Sequence, residues 1–324
     1  MIKTEVKERK MKVKILSMIK YVFEIVLIII VSFMYYLNQP IESPKVLYIP
    51  SGSITKIITH LKSSNQKISK LDGLLLRLIG SPQSGWINVR NKHNTKADFL
   101  YKLTTAKAAL QNITLIPGET SFIFLKQLSQ QLQLNSTTLQ NEYKKQVKFH
   151  EGSFVPNTYK IPIGITEHAL IKLLLKVSYK NRVALSKKIF GTYNAQKWLQ
   201  YVTIASIIQK ESANKSEMPL VSSVIYNRLK KGMKLQMDGT LNYGKYSHVK
   251  VTPKRIKEDR TTYNTYKHRG LPDFPVCNVS DNAIVAAIFP AKTKYLYFMK
   301  SKKGTHDFSC NYSTHLKYIK HATK

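Results

Sequence analysis

Glu211 follows Ile204 by seven residues, Ile207 by four and Ile208 by three, so on a helix it continues an apolar stripe while Gln209 and Lys210 point elsewhere. A carboxylic acid on such a stripe loses hydration, which raises its pKa and keeps a proton on it near neutral pH. That is what a general acid needs in order to protonate a glycosidic oxygen. From the stripe alone, a solvated helix end or an ion pair with a neighbouring Lys or Arg is the simpler reading. Elimination is practicable, because the 324 residues contain only 18 Asp plus Glu.

The other carboxylates offer less. Glu5, Glu8 and Glu24 accompany the apolar N-terminus, and Glu42 falls in a polar, Pro-bounded stretch. Asp72, Asp98, Glu142, Glu167, Glu258 and Asp259 sit in charge-rich segments typical of solvated faces. Glu119 occupies a turn before a helix, where a negative charge suits the dipole, and Glu217 is most simply an N-terminal charge on its own helix. Glu151 begins an irregular junction. Asp273, Asp281 and Asp307 fall in turn-like stretches, where a short carboxylate caps backbone N–H groups. Asp238, in LQMDGT, follows a Gly-ended helix and could line a cleft. His306, Cys310 and His315 form H-x3-C-x4-H, which lacks a fourth ligand nearby, so no metal is expected. Cys277 and Cys310 are too few for a disulfide scaffold.

The elements that must hold Glu211 begin with the run 196-QKWLQYVTIASIIQKES-212, nearly apolar all round between Tyr201 and Ile208 and so predicted to be a buried helix. Residues 166–191 read as another helix, and 217–232 as a surface helix with apolar Leu220, Val221, Val224, Ile225 and Leu229, closed by Gly232. The run 295-YLYFM-299 reads as β. Further back, 49-IPSGSITKIITHL-61 aligns without gaps on 116-IPGETSFIFLKQL-128, each a strand, a tight turn, an N-cap at Ser53 or Thr120, and a helical pattern. Gly152, Pro156 and Pro162 mark a domain junction in 151-EGSFVPNTYKIPIG-164.

The chain carries 52 Lys plus Arg, a formal charge of +34. Seven of these lie in residues 1–20, and the apolar run 21–37 follows. That run, extended back to Ile15, is long enough to cross a membrane, with Lys20 and Glu24 one turn apart and able to pair. Residues 37–40 lack the small residues of a cleavage site, so a retained anchor is expected. The positive-inside rule puts the N-terminus in the cytoplasm and everything after Leu37 outside. A basic, exported, tethered domain meets phospholipid and anionic wall polymer, and nucleic acid is not an expected partner.

The signature 204-IASIIQKES-212, followed in order by 224-VIYNRLKKGMKLQMDGTLNYG-244, 263-YNTYKHRGLP-272, 289-FPAKTKYLYFM-299 and 304-GTHDFS-309, resembles the MltG/YceG-like endolytic murein transglycosylases. The EGSFVPNTY junction and the anchored N-terminus precede these landmarks, and the likeness is densest from Gly152 to His315. The resemblance implies an α+β protein: a cytoplasmic tail (1–20), a single transmembrane helix (21–37), a linker (38–45), a LysM-like two-repeat module (46–150) and a helix-rich catalytic domain with small β elements (151–324). It places the enzyme in the inner (cytoplasmic) membrane with its catalytic domain in the periplasm or outside.

The implied reaction cleaves the β-1,4 bond between N-acetylmuramic acid and N-acetylglucosamine inside nascent peptidoglycan strands, without water, metal or cofactor. Glu211 falls on the family's catalytic Glu. Where the family commonly has E-K-E, this sequence has Gln209 in place of the first Glu. A hydrolase ordinarily needs two carboxylates, whereas a lytic transglycosylase can work with one that first donates and then accepts a proton. Gln236, Asp238, Asn264 and Tyr266 are the expected substrate contacts, and peptidoglycan synthases the expected protein partners. Two other readings stay open: a non-catalytic wall tether, and a muramidase using Asp238 as its second carboxylate.

Overall fold

The computed structural model describes residues 2–90 and 92–323. Met1, Asn91 and Lys324, which fall in the expected tail, module and catalytic domain, lie outside the described residues. The chain divides into two compact units, 1–110 with 162–164, and 111–161 with 165–324.

The first unit runs α1 (Ile2–Asn38), β1 (Pro40–Glu42), β2 (Val46–Ile49), α2 (Ile54–Ser63), α3 (Lys70–Ile79), β3 (Gly85–Asn88), β4 (His93–Thr95) and α4 (Lys96–Thr105). Within α1, the 25-residue stretch Lys14–Asn38 contains an 18-residue window of mean hydropathy 2.3 that the rest of the chain leaves uncovered. At 1.5 Å per residue it measures about 37 Å, enough to cross a bilayer. Lys20 and Glu24 pair on it at 3.9 Å. Residues 38–45, read as a linker, contain β1, which pairs antiparallel with β4. β2 pairs antiparallel with β3, Leu47 opposite Ile87. These two ribbons and helices α2 to α4 close over a core that includes Ile49, Leu61, Leu76, Phe99 and Leu103.

The second unit contains β5 (Leu110–Thr114), α5 (Ser121–Leu132), α6 (Ser136–Gln146), β6 (Thr158–Pro162), α7 (Glu167–Phe190), α8 (Ala195–Glu211), α9 (Met218–Lys230), α10 (Pro253–Glu258), α11 (Asp281–Ile288), β7 (Tyr297–Lys300), β8 (His306–Ser309) and α12 (Tyr312–Thr323). β5 pairs with β6, and β7 pairs antiparallel with β8. One core gathers Phe124, Leu139, Phe154 and Ile171 from the α5 to α7 region, and the other is built on α8, α9 and α11. The expected mixture of helices with small β elements is what forms.

Local chemistry explains the helix ends. Ser53 and Thr120 cap α2 and α5 through bonds from the N–H groups of Lys56 and Ile123, satisfying donors that a helix start leaves unpaired. The two aligned copies therefore share their cap geometry. They fall in different units, so residues 46–150 are divided between two compact bodies.

α8 is buried over Val202–Ile208 because α9 and α11 both pack on it. Its most deeply buried hydroxyl, Ser206, donates to the Thr203 carbonyl at 2.7 Å and accepts the Val276 N–H at 2.8 Å. The polar side chain at the heart of this core is thus fully used.

Candidate active site

α8 delivers Glu211 in its last turn, directly after the buried Ile207 and Ile208. The backbone then leaves the helix at Ser212, and the Glu211 side chain, half-buried, opens on a cleft of about 440 Å³. The wall opposite is the turn Asp238–Leu241, where the Gly239 N–H donates to Glu211 Oε1 at 2.7 Å. The approach is so close that a Cβ at position 239 would stand 2.6 Å from Lys210 Cβ and 2.7 Å from Glu211 Oε1. Only glycine fits there.

Burial pushes the Glu211 carboxyl up to about 7. The Gly239 N–H opposes this by stabilising the anion, the Asp238 charge adds to the rise, and Arg228 pulls weakly down. The position in the last turn of α8, where the helix dipole is negative, works in the same direction as burial. The result is a carboxyl that holds and releases a proton near neutrality.

Three of the four expected contacts line the cleft with Glu211. These are Gln236, Asp238 and Tyr266. Tyr266 donates its hydroxyl to Asp238 Oδ1 at 2.7 Å, and its own pKa is raised, first by burial and then by that carboxylate. Gln236 adopts φ of +50°, an uncommon conformation for a residue with a Cβ. The loop around it is tied down by Thr265, whose carbonyl takes the Gln236 N–H and whose hydroxyl takes the Met237 N–H, both at 3.1 Å.

Asn264 is different. It is wholly buried, and its amide donates to the carbonyls of Ile256 and Asp259, each at 2.8 Å, while its Oδ1 accepts the Tyr266 N–H at 3.3 Å. Its polar atoms hold the loop that presents Tyr266, and it does not reach the cleft.

Several cleft residues escaped the sequence reading. Arg228, on the buried side of α9, donates to the carbonyls of Leu296 at 2.6 Å, Leu235 at 2.5 Å and Lys234 at 3.3 Å, and its guanidinium lies 5.1 Å from the Tyr297 ring centre. Tyr297, Lys300, Tyr312 and His315 complete the wall. Burial, followed by the nearby Arg228, lowers the His315 pKa, and its Nδ1 is buried without a hydrogen-bond partner in the protein. The signal for Arg228 and Tyr297 was their place in the landmarks YNRLKK and KYLYFM; Lys300 and Tyr312 lie outside the landmarks, and His315 was weighed only as a metal ligand.

His306, also in the cleft wall, is held by Glu217. Its Nδ1 lies 2.7 Å from Glu217 Oε2 and its N–H 2.8 Å from Oε1. Burial raises the Glu217 carboxyl, but the bonds from His306 and Ala213 outweigh it and leave it below its ordinary value. Glu217 is therefore a buried partner of His306 rather than a solvated helix charge. Among the described residues no three His, Cys, Asp or Glu side chains form a group that could hold a metal.

A perturbed pKa alone does not single out Glu211. Burial pushes Glu151 up to about 8, yet both its oxygens take the Ser121 N–H at 3.0 Å and it lines a separate cavity of about 230 Å³. Gln209 is committed as well, accepting from the Ser280 hydroxyl at 2.7 Å and N–H at 3.2 Å at the start of α11. Among the described carboxyls, Glu211 and Glu151 both join a raised pKa to a cavity with polar and aromatic walls. Glu211 differs in facing the larger of the two and in being held through Oε1 by the Gly239 N–H, whereas both Glu151 oxygens are tied to the Ser121 N–H.

Residues 47–321 match the YceG-like family. The chain is 32% identical over 196 residues to the endolytic murein transglycosylase of Bacillus subtilis, covering 60% of this chain and 53% of that protein. It is 31% identical over 156 residues to the endolytic murein transglycosylase of Streptococcus pneumoniae strain D39, covering 46% and 28%. The matched segment thus spans about half the length of the first relative and under a third of the second. The crystal structure of a YceG-like protein from Listeria monocytogenes superposes with a TM-score of 0.56 at 25% identity, over 86% of this chain and 99% of that one.

Proposed function

Since the chain belongs to the YceG-like family, we propose that it is a membrane-anchored endolytic lytic transglycosylase of peptidoglycan with Glu211 as its catalytic acid and base. The observation that carries this reading is the Glu211 carboxyl, held near neutral pKa by burial against the Gly239 N–H at the head of an open cleft.

Protonated Glu211 donates to the oxygen between N-acetylmuramic acid and N-acetylglucosamine as the C1–O bond breaks. Positive charge develops at C1 of the muramic sugar, stabilised as an oxocarbenium-like or acetamido-bridged species. The Gly239 N–H stabilises the carboxylate just formed. Ionised Glu211 then accepts the proton of the muramic C6 hydroxyl as that oxygen closes on C1, giving a 1,6-anhydro end and restoring the acid. A group used in both directions works best with a pKa near the ambient pH.

Gln236, Asp238 and Tyr266 orient the sugars, with Tyr297, Tyr312 and His315 on the facing wall. Asn264 supports Tyr266 from beneath. The apolar stretch Lys14–Asn38 anchors the enzyme with its N-terminus in the cytoplasm, which keeps the cleft within reach of new strands and of the synthases that extend them. Cleavage inside a nascent strand ends its growth.

Asp238 in the same cleft supports a second reading, a two-carboxylate hydrolase. Mass spectrometry of fragments released from purified peptidoglycan by the detergent-solubilised chain separates the two. Internal fragments with 1,6-anhydromuramic ends that disappear in Glu211→Gln are expected. Reducing ends that disappear in Asp238→Asn would replace the transglycosylase with the hydrolase, and no cleavage by a folded wild type would favour a wall tether.

A further inference from the structure

α3 has two apolar faces. One, with Gly73 and Leu76, packs into the first unit, while the other exposes Leu71, Leu74 and Leu78, the last at 84% of its full accessibility. The spacing of three and four residues aligns these leucines on one side of the helix. Lys70 and Arg77, seven residues apart and both exposed, flank that side along one edge. A short helix with an exposed leucine face and a basic margin has the composition of a segment that lies in a membrane interface.

Its position supplies the second argument. The last turn of α1 is pinned to the start of α3. The Tyr36 hydroxyl lies 2.6 Å from Ser69 Oγ and donates to Asp72 Oδ1 at 2.9 Å, and Lys96 sits 4.0 Å above the Tyr36 ring and 3.4 Å from Asp72 Oδ2. Asp72 is wholly buried and closes a capping box with Ser69. The joint is therefore a buried, charge-paired contact at the point where the apolar helix ends. A ten-residue helix is about 15 Å long, so every leucine of the exposed face lies within that reach of the joint.

We infer that the Leu71–Leu74–Leu78 face of α3, with Lys70 and Arg77 at its edge, rests in the headgroup layer of the membrane that α1 enters, with anionic phospholipid as its partner. The leucines bury in the acyl boundary and the cations meet phosphate. The first unit then sits on the bilayer instead of hanging from it on a free tether. This inference rests on α1 being a membrane anchor and holds for either orientation of that helix.

The test uses the full chain with Cys310→Ser, which leaves the buried Cys277 as its remaining native thiol. A fluorophore is placed at Leu74→Cys or, in a separate preparation, at Ile28→Cys within α1. Both sites are exposed, so neither change disturbs packing. The chains are reconstituted in phosphatidylglycerol–phosphatidylethanolamine vesicles carrying spin-labelled lipids.

The label at 28 should be quenched by acyl-chain spin labels. The label at 74 should be quenched by headgroup spin labels, protected from aqueous iodide, and less quenched in phosphatidylcholine vesicles. Quenching at 28 with full iodide access at 74 would overturn the inference while keeping the anchor. Iodide protection at 74 without lipid quenching would also overturn it, by showing that protein covers the face. Equal quenching at 74 in phosphatidylcholine would remove the anionic specificity. No quenching at 28 would remove the anchor itself and this inference with it.

Discussion

Replacing Gly239 by alanine tests how the acid is held. The added methyl would stand 2.6 Å from Lys210 Cβ and 2.7 Å from Glu211 Oε1, both well inside contact distance, so the turn Asp238–Leu241 or the carboxylate must move. Lengthening or losing the 2.7 Å bond from the Gly239 N–H removes an interaction with the anion worth about 1.5–3 kcal/mol. At 1.36 kcal/mol per unit, that raises the Glu211 pKa by about 1–2 units from its present value of about 7. The alkaline limb of the rate profile, where the acid has lost its proton, should move up by the same amount. At neutral pH a displacement of about 1 Å costs roughly 10²-fold in rate. The assay is the yield of 1,6-anhydromuramic ends against pH, with thermal melting in parallel. Strain of about 1–3 kcal/mol lowers Tm by a few degrees per kcal/mol, so the protein should remain folded at assay temperature. A folded variant with the wild-type rate and pH profile would show that the contact does not position the acid.

Asp238→Asn should act in the opposite sense: removing a like charge lowers the Glu211 pKa, moving the alkaline limb down by under about 1 unit, while the products keep their anhydro ends. Glu211→Gln should lower the rate by at least about 10²- to 10⁴-fold with Tm unchanged or raised, checked by the same fragment analysis. Asn264→Ala should cost about 2–4 kcal/mol, since it strips three hydrogen bonds, those to the Ile256 and Asp259 carbonyls and that from the Tyr266 N–H, with the Asp259 carbonyl retaining Lys267; urea melts should show this loss, with much smaller loss of activity per folded molecule. Glu151 holds its proton in the folded state between its ordinary 4.5 and about 8, while the unfolded chain releases it over that range. Stability should therefore fall as pH rises through this window, by at most about 4–5 kcal/mol from this group, and Glu151→Gln should flatten that part of the dependence in melts at about pH 5 and about pH 9.

The long helices were legible because their periodicity and caps are local. α7, α8 and α9 fall where the apolar spacing and, for α9, Gly232 place them, and the structure adds the caps Thr166 and Asn194 at the starts of α7 and α8. The stripe placed Glu211 beside the core but left a solvated or paired helix end as the simpler reading, and the ordered landmarks of the family resemblance were what singled it out. What the sequence concealed is whatever depends on a second segment. Asn264 carries an amide that suits a sugar or a backbone carbonyl equally well, and the choice is made by Ile256 and Asp259 arriving beside it. Arg228 reads as one more cation on a surface helix, yet it turns inward because the carbonyls of Leu235 and Leu296 converge on it. Gly239 was visible in LQMDGT, but the need for glycine arises only from the backbone's contact with Glu211. The two aligned strand-turn-helix copies resemble each other through their caps, and that local likeness carries no information about which compact unit each copy joins.

A single carboxyl that must first give and then take a proton is poorly served by either extreme of pKa. Deep burial with nothing opposing it would yield a firm acid and a conjugate base too costly to form. Full solvation yields an anion with no proton to give. Glu211 stands between these limits because four influences oppose one another: burial and Asp238 favour the neutral form, while Gly239 and Arg228 favour the anion. Three of the four come from elements other than α8, Asp238 and Gly239 from the turn 238–241 and Arg228 from α9, so the helix stripe supplies the hydrophobic half of the site and its neighbours set the balance. The consequence is directional. Substitutions at 239 and 238 should move the pH profile in opposite senses, and the double variant should return it toward the wild type while leaving the acid misplaced, which separates tuning of the proton from positioning of the carboxyl.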